Sequence, residues 1–257
     1  MVLKIPLFEK LFNDYGLSEE DKGRIRRDLE AIKAKDEETF LHSVRVTLLS
    51  MKIAKQLGMD PKPLLFAAPR HDDGKILVPN KVLKKKKNWG PEDSAIMKAH
   101  PVDSFRMLEP TNAFSAYIDV DHHRHGENPY PKRLPKGETF VLSPKAKRLA
   151  FEYSKPLAIA DCWDAAVNRK NSRFGGKRIT LKLIREAMLH DLSHIQPMVN
   201  KLFEEKFFTQ QMLANTVMGR EKRRLSLRAT NPILKMGAGK RTPNTLTSVK
   251  GRVIRRR

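Results

Sequence analysis

The residues best able to do chemistry in this chain are histidines and aspartates that recur in short groups. Two groups are doublets, His71-Asp72 and His122-His123, and Gly74-Lys75 follows the first of them closely. An adjacent histidine and aspartate at a helix end can both reach one cation, and the carboxylate can bridge to a second. Mixed imidazole and carboxylate ligands suit manganese, iron, zinc or similar divalent ions better than calcium. The pattern therefore predicts a metal site.

Spacing within predicted helices adds further candidates. Glu38 and His42 lie four residues apart, and Asp161 and Asp164 lie three apart, so each pair shares one face of a helix. Each pair alone is weak evidence, because a lone helical histidine is more often structural and such a pair can be a mere surface contact. We interpret a further doublet, His190-Asp191, as the end of a helix, because the Gly-Lys pair does not follow it.

The elements that must position these residues are almost all helical. Apolar residues between Asp36 and Leu57 recur with a period near 3.6, and Gly58 supplies a stop signal. A helix is also expected within 17–35, and Leu134 to Leu142 is the one short extended candidate. The sequence thus predicts an all-α fold with an N-terminal helical extension (1–35), one domain (36–217) and a tail (218–257). Further helices are expected at Pro61–Ala68, Pro91–Met107, Phe114–His122, Pro144–Ala166, Leu181–Leu189 and Gln196–Phe208.

Charge separates the tail from the rest of the 257-residue chain. The whole chain carries a formal charge of +22, and residues 218–257 hold 13 Lys or Arg against one acid, Glu221. This segment has few large apolar residues and several Pro and Gly, so it is predicted to be a flexible basic arm. The arm either binds nucleic acid or an anionic membrane through phosphate neutralisation, or is simply a solvated tail.

Cysteine content and hydropathy bear on the compartment. Cys162 is the single cysteine, which excludes an intrachain disulfide, and no apolar run reaches the roughly 18–20 residues that span a bilayer. We therefore expect a cytoplasmic protein with no transmembrane segment.

The ordered series of histidines and aspartates resembles the HD-GYP family, helical HD-superfamily phosphohydrolases that hydrolyse cyclic di-GMP. The likeness covers roughly residues 38–208. It is carried by His42-Ser43-Val44-Arg45-Val46, His71-Asp72 with Gly74-Lys75-Ile76, Lys98-Ala99-His100-Pro101, His122-His123, Tyr130-Pro131, and Ile159-Ala160-Asp161 with Asp164-Ala165.

This resemblance implies a cluster of two or three divalent ions, with iron or manganese as first candidates and magnesium, zinc or nickel as others. Asp72 would bridge two ions, and His42 would either complete the first site or join Glu38 at a third ion. The implied ligands are Glu38, His42, His71, Asp72, His100, His122, His123 and Asp161.

The same resemblance implies an activity and a set of substrate contacts. The protein would hydrolyse cyclic di-GMP to pGpG or GMP with a metal-activated water, and Asp72 and Lys75 would be catalytic. Lys75 would contact a phosphate, Tyr130 would line the substrate pocket, and Arg169 or Arg173 would face the substrate. A signalling protein such as a diguanylate cyclase is the implied partner.

The chain departs from the family pattern at several positions. Pro69-Arg70 replaces two apolar residues before the doublet, and Asp73 follows it, where this acid could compete for the metal or repel phosphate. Arg124 replaces a glutamate, and the Gly-Tyr-Pro signature reads Pro129-Tyr130-Pro131. Two alternatives therefore stay open: hydrolysis of another nucleotide or phosphate ester, and a non-catalytic binding protein whose basic tail contacts nucleic acid.

Overall fold

The structure is a computed structural model that describes residues 5–85, 87–168, 174 and 178–215. The described residues form helices joined by loops and contain no β-strand, which confirms the predicted all-α class. The helices are α1 (Pro6–Asp14), α2 (Glu19–Lys35), α3 (Glu37–Gln56), α4 (Lys62–Ala67), α5 (Asn80–Leu83), α6 (Pro91–Lys98), α7 (His100–Leu108), α8 (Ala113–Asp121), α9 (Pro144–Asn168), α10 (Leu181–Asp191) and α11 (Gln196–Glu204).

Polar residues at the N-termini explain where several helices begin. The Ser18 side chain accepts the Asp21 amide N–H at the start of α2, and Asp36 does the same for Thr39 at the start of α3. Thr180 caps α10 in the same way. Each cap satisfies one of the amides that lack a partner in a first helical turn.

The core lies where α3 and α8 each pack against α9, with α7 on α8 and α2 on α3. Val46 and Ile53 from α3, Ile118 from α8, and Leu157 and Ile159 from α9 have no exposed surface. The predicted ligands His42 and Asp161 lie on α3 and α9, and the His122-His123 doublet directly follows α8, so the best-packed part of the protein positions much of the site.

The N-terminal helices belong to this packed unit. Ile25, Leu29 and Ile32 of α2 are buried on one helix face and lie against α3 and the turns that follow α4. The predicted helix within 17–35 is therefore present. The basic segment 218–257 lies outside the described residues, so its predicted flexibility stays a prediction.

Two local predictions are wrong. Pro91–Met107 is not one helix, because Ala99 separates α6 from α7 and Pro101 stands in the first turn of α7, where its missing N–H does no harm. Leu134 to Leu142 forms no strand. That loop is held instead by the buried Glu109, whose carboxylate accepts the amide N–H groups of Thr139 and Phe140 at 3.0 and 2.7 Å.

No helix within the described ranges combines the length and the apolar character needed to cross a membrane.

Candidate metal centre

The central doublet, His71-Asp72, lies on a compact turn between two short 3-10 helices, Ala68–Arg70 and Asp73–Ile76. Ser104 of α7 ties this turn in place, since its hydroxyl accepts the Gly74 N–H at 2.8 Å and donates to the His71 carbonyl at 3.0 Å. A Cβ atom at Gly74 would lie 2.2 Å from the His100 carbonyl oxygen. Only glycine therefore lets the turn pack this closely on the start of α7.

Imidazoles and carboxylates from four other elements converge on this turn. The His42 Nε2 atom of α3 lies 3.0 Å from Asp161 Oδ1 of α9, and His100 Nε2 lies 3.2 Å from Asp72 Oδ1. Three groups each place their donor atoms within 4.8 Å of one another: His100, His122 and His123; His42, His71 and Asp161; and His71, Asp72 and His122. Seven of the eight predicted ligands are thereby brought together.

Backbone carbonyls fix how three of the histidines point. The Nδ1 atom of His71 lies 2.8 Å from the Ala68 oxygen, that of His100 lies 2.7 Å from the Met97 oxygen, and His122 makes the same contact with Asp119. Each carbonyl oxygen must accept a hydrogen bond from Nδ1–H, so Nε2 carries no proton and its lone pair can bind a metal ion. These three Nε2 atoms are buried and have no hydrogen-bond partner among the described residues.

This orientation is the one that metal-binding histidines show, with the second ring nitrogen held by an outer partner. An unpartnered buried nitrogen is otherwise costly, by about 1–3 kcal/mol each. The residues present therefore fit a bound cation.

His42 is oriented by a carboxylate rather than a carbonyl. Its Nδ1 atom lies 2.8 Å from Asp164 Oδ2, and Arg45 holds the other oxygen at 2.6 Å from its Nε. Asn168 donates to the same carboxylate at 2.7 Å. Asp164, Arg45 and Asn168 were not among the predicted site residues, although the three-residue spacing of Asp161 and Asp164 is a signal for the first of them.

Burial keeps most of these imidazoles neutral. Desolvation lowers the pKa of His71 to about 4 and that of His100 to about 3, and it also lowers the pKa of His122 and His123. A neutral imidazole has a lone pair available at Nε2, which is the form that binds metals.

Asp72 is kept ionised despite its burial. Desolvation alone would raise its pKa, but the Lys75 ammonium, 2.5 Å away, holds the pKa well below its usual value. The centre of the cluster is therefore a carboxylate at neutral pH.

The remaining predicted residues have different placements. Glu38 is exposed at the start of α3 and is absent from the three donor groups found among the described residues. Lys75 is buried against Asp72. Tyr130 stacks on His123, with ring centroids 4.4 Å apart and planes 26° apart. Arg169 and Arg173 lie outside the described residues.

The unusual Arg70 and Asp73 form one buried feature. Arg70 Nε lies 2.7 Å from Asp28 Oδ2 of α2 and 3.3 Å from Asp73 Oδ2. Asp73 is 1% exposed and is in none of the donor groups. Instead of competing for a metal, Asp73 faces the Arg70 guanidinium, which also connects the ligand-bearing turn to α2.

Arg124, which stands where the family has a glutamate, also has a local partner. It forms an ion pair of 2.5 Å with Asp121 at the end of α8. The positive charge of Arg124 therefore lies next to a carboxylate of α8.

A cavity of about 360 Å³ opens beside the metal centre. His122, His123, Asp161 and Tyr130 line its near side. The sequence predicts that Tyr130 lines a substrate pocket, and Tyr130 lies at the wall of this cavity.

Residues 39–166 match the family model described as "HD domain". The chain belongs to this family of helical domains. Together with its curated relatives, the match confirms the predicted membership of the HD-GYP group.

Three comparisons illustrate the relationship. The chain is 35% identical over 144 residues to a cyclic di-GMP phosphodiesterase of Thermotoga maritima, covering 53% of this chain and 36% of that protein. It is 35% identical over 99 residues to cyclic di-GMP phosphodiesterase PA4108 of Pseudomonas aeruginosa, covering 37% and 24% respectively. The HD domain of L. monocytogenes phosphodiesterase PgpH aligns with 17% identity and a TM-score of 0.44, covering 76% of this chain and 97% of that one. The chain therefore spans about a third or less of the two curated relatives.

Proposed function

We propose that the protein is a metal-dependent phosphodiesterase that hydrolyses a cyclic dinucleotide, with cyclic di-GMP as the first candidate and pGpG or GMP as the product. The observation that carries this proposal is the inward convergence of buried imidazole Nε2 atoms on the Asp72 carboxylate. The names of the two curated relatives support the substrate class.

Two ions fit the donor groups. His42, His71, Asp72 and Asp161 would hold one ion, while Asp72 with His100, His122 and His123 would hold the other, with iron or manganese as first candidates. Glu38, four residues before His42, would serve a third ion after a change of its side-chain rotamer. When bound, divalent ions lower the pKa of water and stabilise negative charge on a phosphoryl group.

The chain's own residues supply the remaining functions. Lys75 places a buried positive charge next to Asp72, where it would balance the charge of a phosphate oxygen. Tyr130 stacks on His123, and the Lys98 ammonium lies 5.4 Å from the centroid of the Tyr130 ring. These two residues would place an aromatic ring and a positive charge at the edge of the substrate pocket. Arg169 and Arg173 are kept as further substrate contacts on the strength of the family resemblance.

The test is an activity assay on anaerobically purified protein, paired with elemental analysis. Asp72→Ala and His123→Ala are expected to abolish hydrolysis of cyclic di-GMP and to lower the metal content. His194→Ala is the matched control, because His194 is exposed and absent from the metal-donor groups and the lining of the cavity. Full activity and full metal content in the Asp72 and His123 variants would refute the site.

A second candidate function keeps the metal centre and changes the substrate. Pro129 precedes Tyr130 where the family has glycine, and proline restricts the backbone of the loop that borders the cavity. Metal-loaded protein would be screened against cyclic dinucleotides, nucleoside phosphates and simple phosphate esters. Turnover of another phosphate ester without turnover of any cyclic dinucleotide would favour this candidate.

We also propose that the basic segment 218–257 contacts nucleic acid. A diguanylate cyclase as signalling partner and a cytoplasmic location belong to the same proposal. Binding of RNA by the full chain and by a chain ending at residue 217 would be measured across salt concentrations. Equal binding by both chains would remove the segment from the proposal.

A further inference from the structure

The cavity beside the metal centre has a far wall that the predicted site residues do not build. Its volume of about 360 Å³ is at the small end for ligand pockets, so it suits part of a dinucleotide rather than the whole. Besides the metal-centre residues, the lining includes His125 of the loop that follows α8, Cys162 and Ala165 of α9, and His190 and Asp191 at the end of α10.

Two backbone contacts fix the position of this far wall relative to the His122-His123 doublet. The His194 N–H donates to the His125 carbonyl at 3.0 Å. A Cβ atom at Gly126 would lie 2.3 Å from the Asp191 carbonyl oxygen, so the loop and the end of α10 touch through their main chains. The position of Asp191 relative to the metal centre is therefore built into the fold.

The placement of Asp191 is not explained by helix stability. It is the last residue of α10, where the helix dipole favours a cation over a carboxylate. Its Oδ1 atom lies 3.1 Å from His190 Nδ1, and its Oδ2 atom lies 3.8 Å from Cys162 Sγ, which is a long contact with a weak donor. The side chain is 34% exposed.

His125 of the same wall is held in one orientation from behind. The Ser154 hydroxyl donates to the Phe151 carbonyl at 2.8 Å, so it accepts from His125 Nε2 at 2.8 Å. The other ring nitrogen, Nδ1, then carries a lone pair, and it is buried with no partner among the described residues. His125 itself is 1% exposed. The half-exposed Asp191 carboxylate is therefore the acceptor that this wall offers, and it favours a ligand edge that carries donors.

We propose that Asp191 is a specificity-determining residue that recognises a guanine base in this cavity. This inference rests on the proposed function and adds a base preference to it. The Watson–Crick edge of guanine presents two adjacent donors, N1–H and N2–H, which match the two oxygens of a carboxylate. Adenine presents one donor beside an acceptor, so its N1 would face the carboxylate unfavourably. The His190-Asp191 doublet is thus a substrate contact rather than a metal site.

The test measures equilibrium binding of GMP and AMP to metal-loaded protein, without turnover. The wild type is expected to prefer GMP, and Asp191→Asn, which replaces one acceptor with a donor, is expected to reduce the GMP-to-AMP preference about tenfold or more. Asp191→Ala provides a second variant. Glu186→Gln is the matched control, because Glu186 is exposed on the same helix and is not part of the cavity lining.

Metal content is expected to be unchanged in all three variants. A wild type without GMP preference, an Asp191→Asn variant with the wild-type preference, or a loss of metal in that variant would each overturn the inference. Failure of the proposed function would be seen separately, as a wild type that binds GMP through Asp191 but hydrolyses no cyclic dinucleotide.

Discussion

Replacing Ser104 with alanine tests how the ligand-bearing turn is held. Ser104 has no exposed surface, and its hydroxyl is the partner of both the Gly74 N–H and the His71 carbonyl. Removing it leaves two buried backbone groups without that partner, and each such group is worth about 1–3 kcal/mol. After partial relaxation, we expect Ser104→Ala to lower the free energy of unfolding by about 2–4 kcal/mol and to reduce metal binding.

Ser50→Ala is the matched control, because Ser50 is equally buried but donates only to the Thr47 carbonyl of its own helix. This change is expected to lower the free energy of unfolding by less than about 1 kcal/mol. Both variants would be unfolded in urea after chelation, so that metal does not contribute, and metal content would be measured separately. Equal unfolding free energies for the two variants, within about 0.5 kcal/mol, would refute the role assigned to Ser104.

Three further changes have expected outcomes. Gly74→Ala introduces a Cβ atom 2.2 Å from the His100 carbonyl oxygen, so elemental analysis is expected to show loss of metal, and normal content would contradict the packing argument. Asp164→Asn removes the charge that orients His42 and is expected to weaken metal affinity about 10- to 100-fold in chelator competition, with unchanged affinity as the contrary result. Burial would raise the pKa of Glu109, but backbone N–H donors lower it below the ordinary 4.5. Its stabilising effect is therefore present above pH 4.5 and lost as the pH falls through the folded-state pKa. Unfolding is expected to show Glu109→Gln less stable than the wild type at pH 7 and a smaller difference at pH 4, and a pH-independent difference would contradict this.

Local patterns predicted most of the fold because helix signals act over a few residues. The apolar period of Asp36–Leu57 gives α3 almost to its ends, and the predicted helix at Leu181–Leu189 is α10. The break between α6 and α7 escaped prediction because the pattern is amphipathic across Ala99, and the new helix is set by Pro101.

Long-range contacts account for the site features that the sequence did not predict. Arg70 and Asp73 looked like departures from the family pattern, yet the Arg70 guanidinium pairs with Asp73 and also with Asp28, more than 40 residues earlier in the chain. Asp191 was set aside because its doublet lacks a following Gly-Lys, and its place in the cavity depends on the contact of α10 with Gly126. Neither relationship leaves a periodic signal along the chain.

The way the imidazoles are held also determines how many protons leave when a cation is captured. Burial lowers the pKa of His71, His100, His122 and His123, so at neutral pH these rings have no extra proton to release. Burial would lower the pKa of His42 too, but Asp161 and Asp164 raise it, which makes His42 the one imidazole in the cluster poised to lose a proton on binding. Calorimetric titration in buffers of different ionisation enthalpy would therefore report proton release that comes from His42 among the five rings, and the affinity for the cation would rise with pH for as long as His42 is protonated in the metal-free protein.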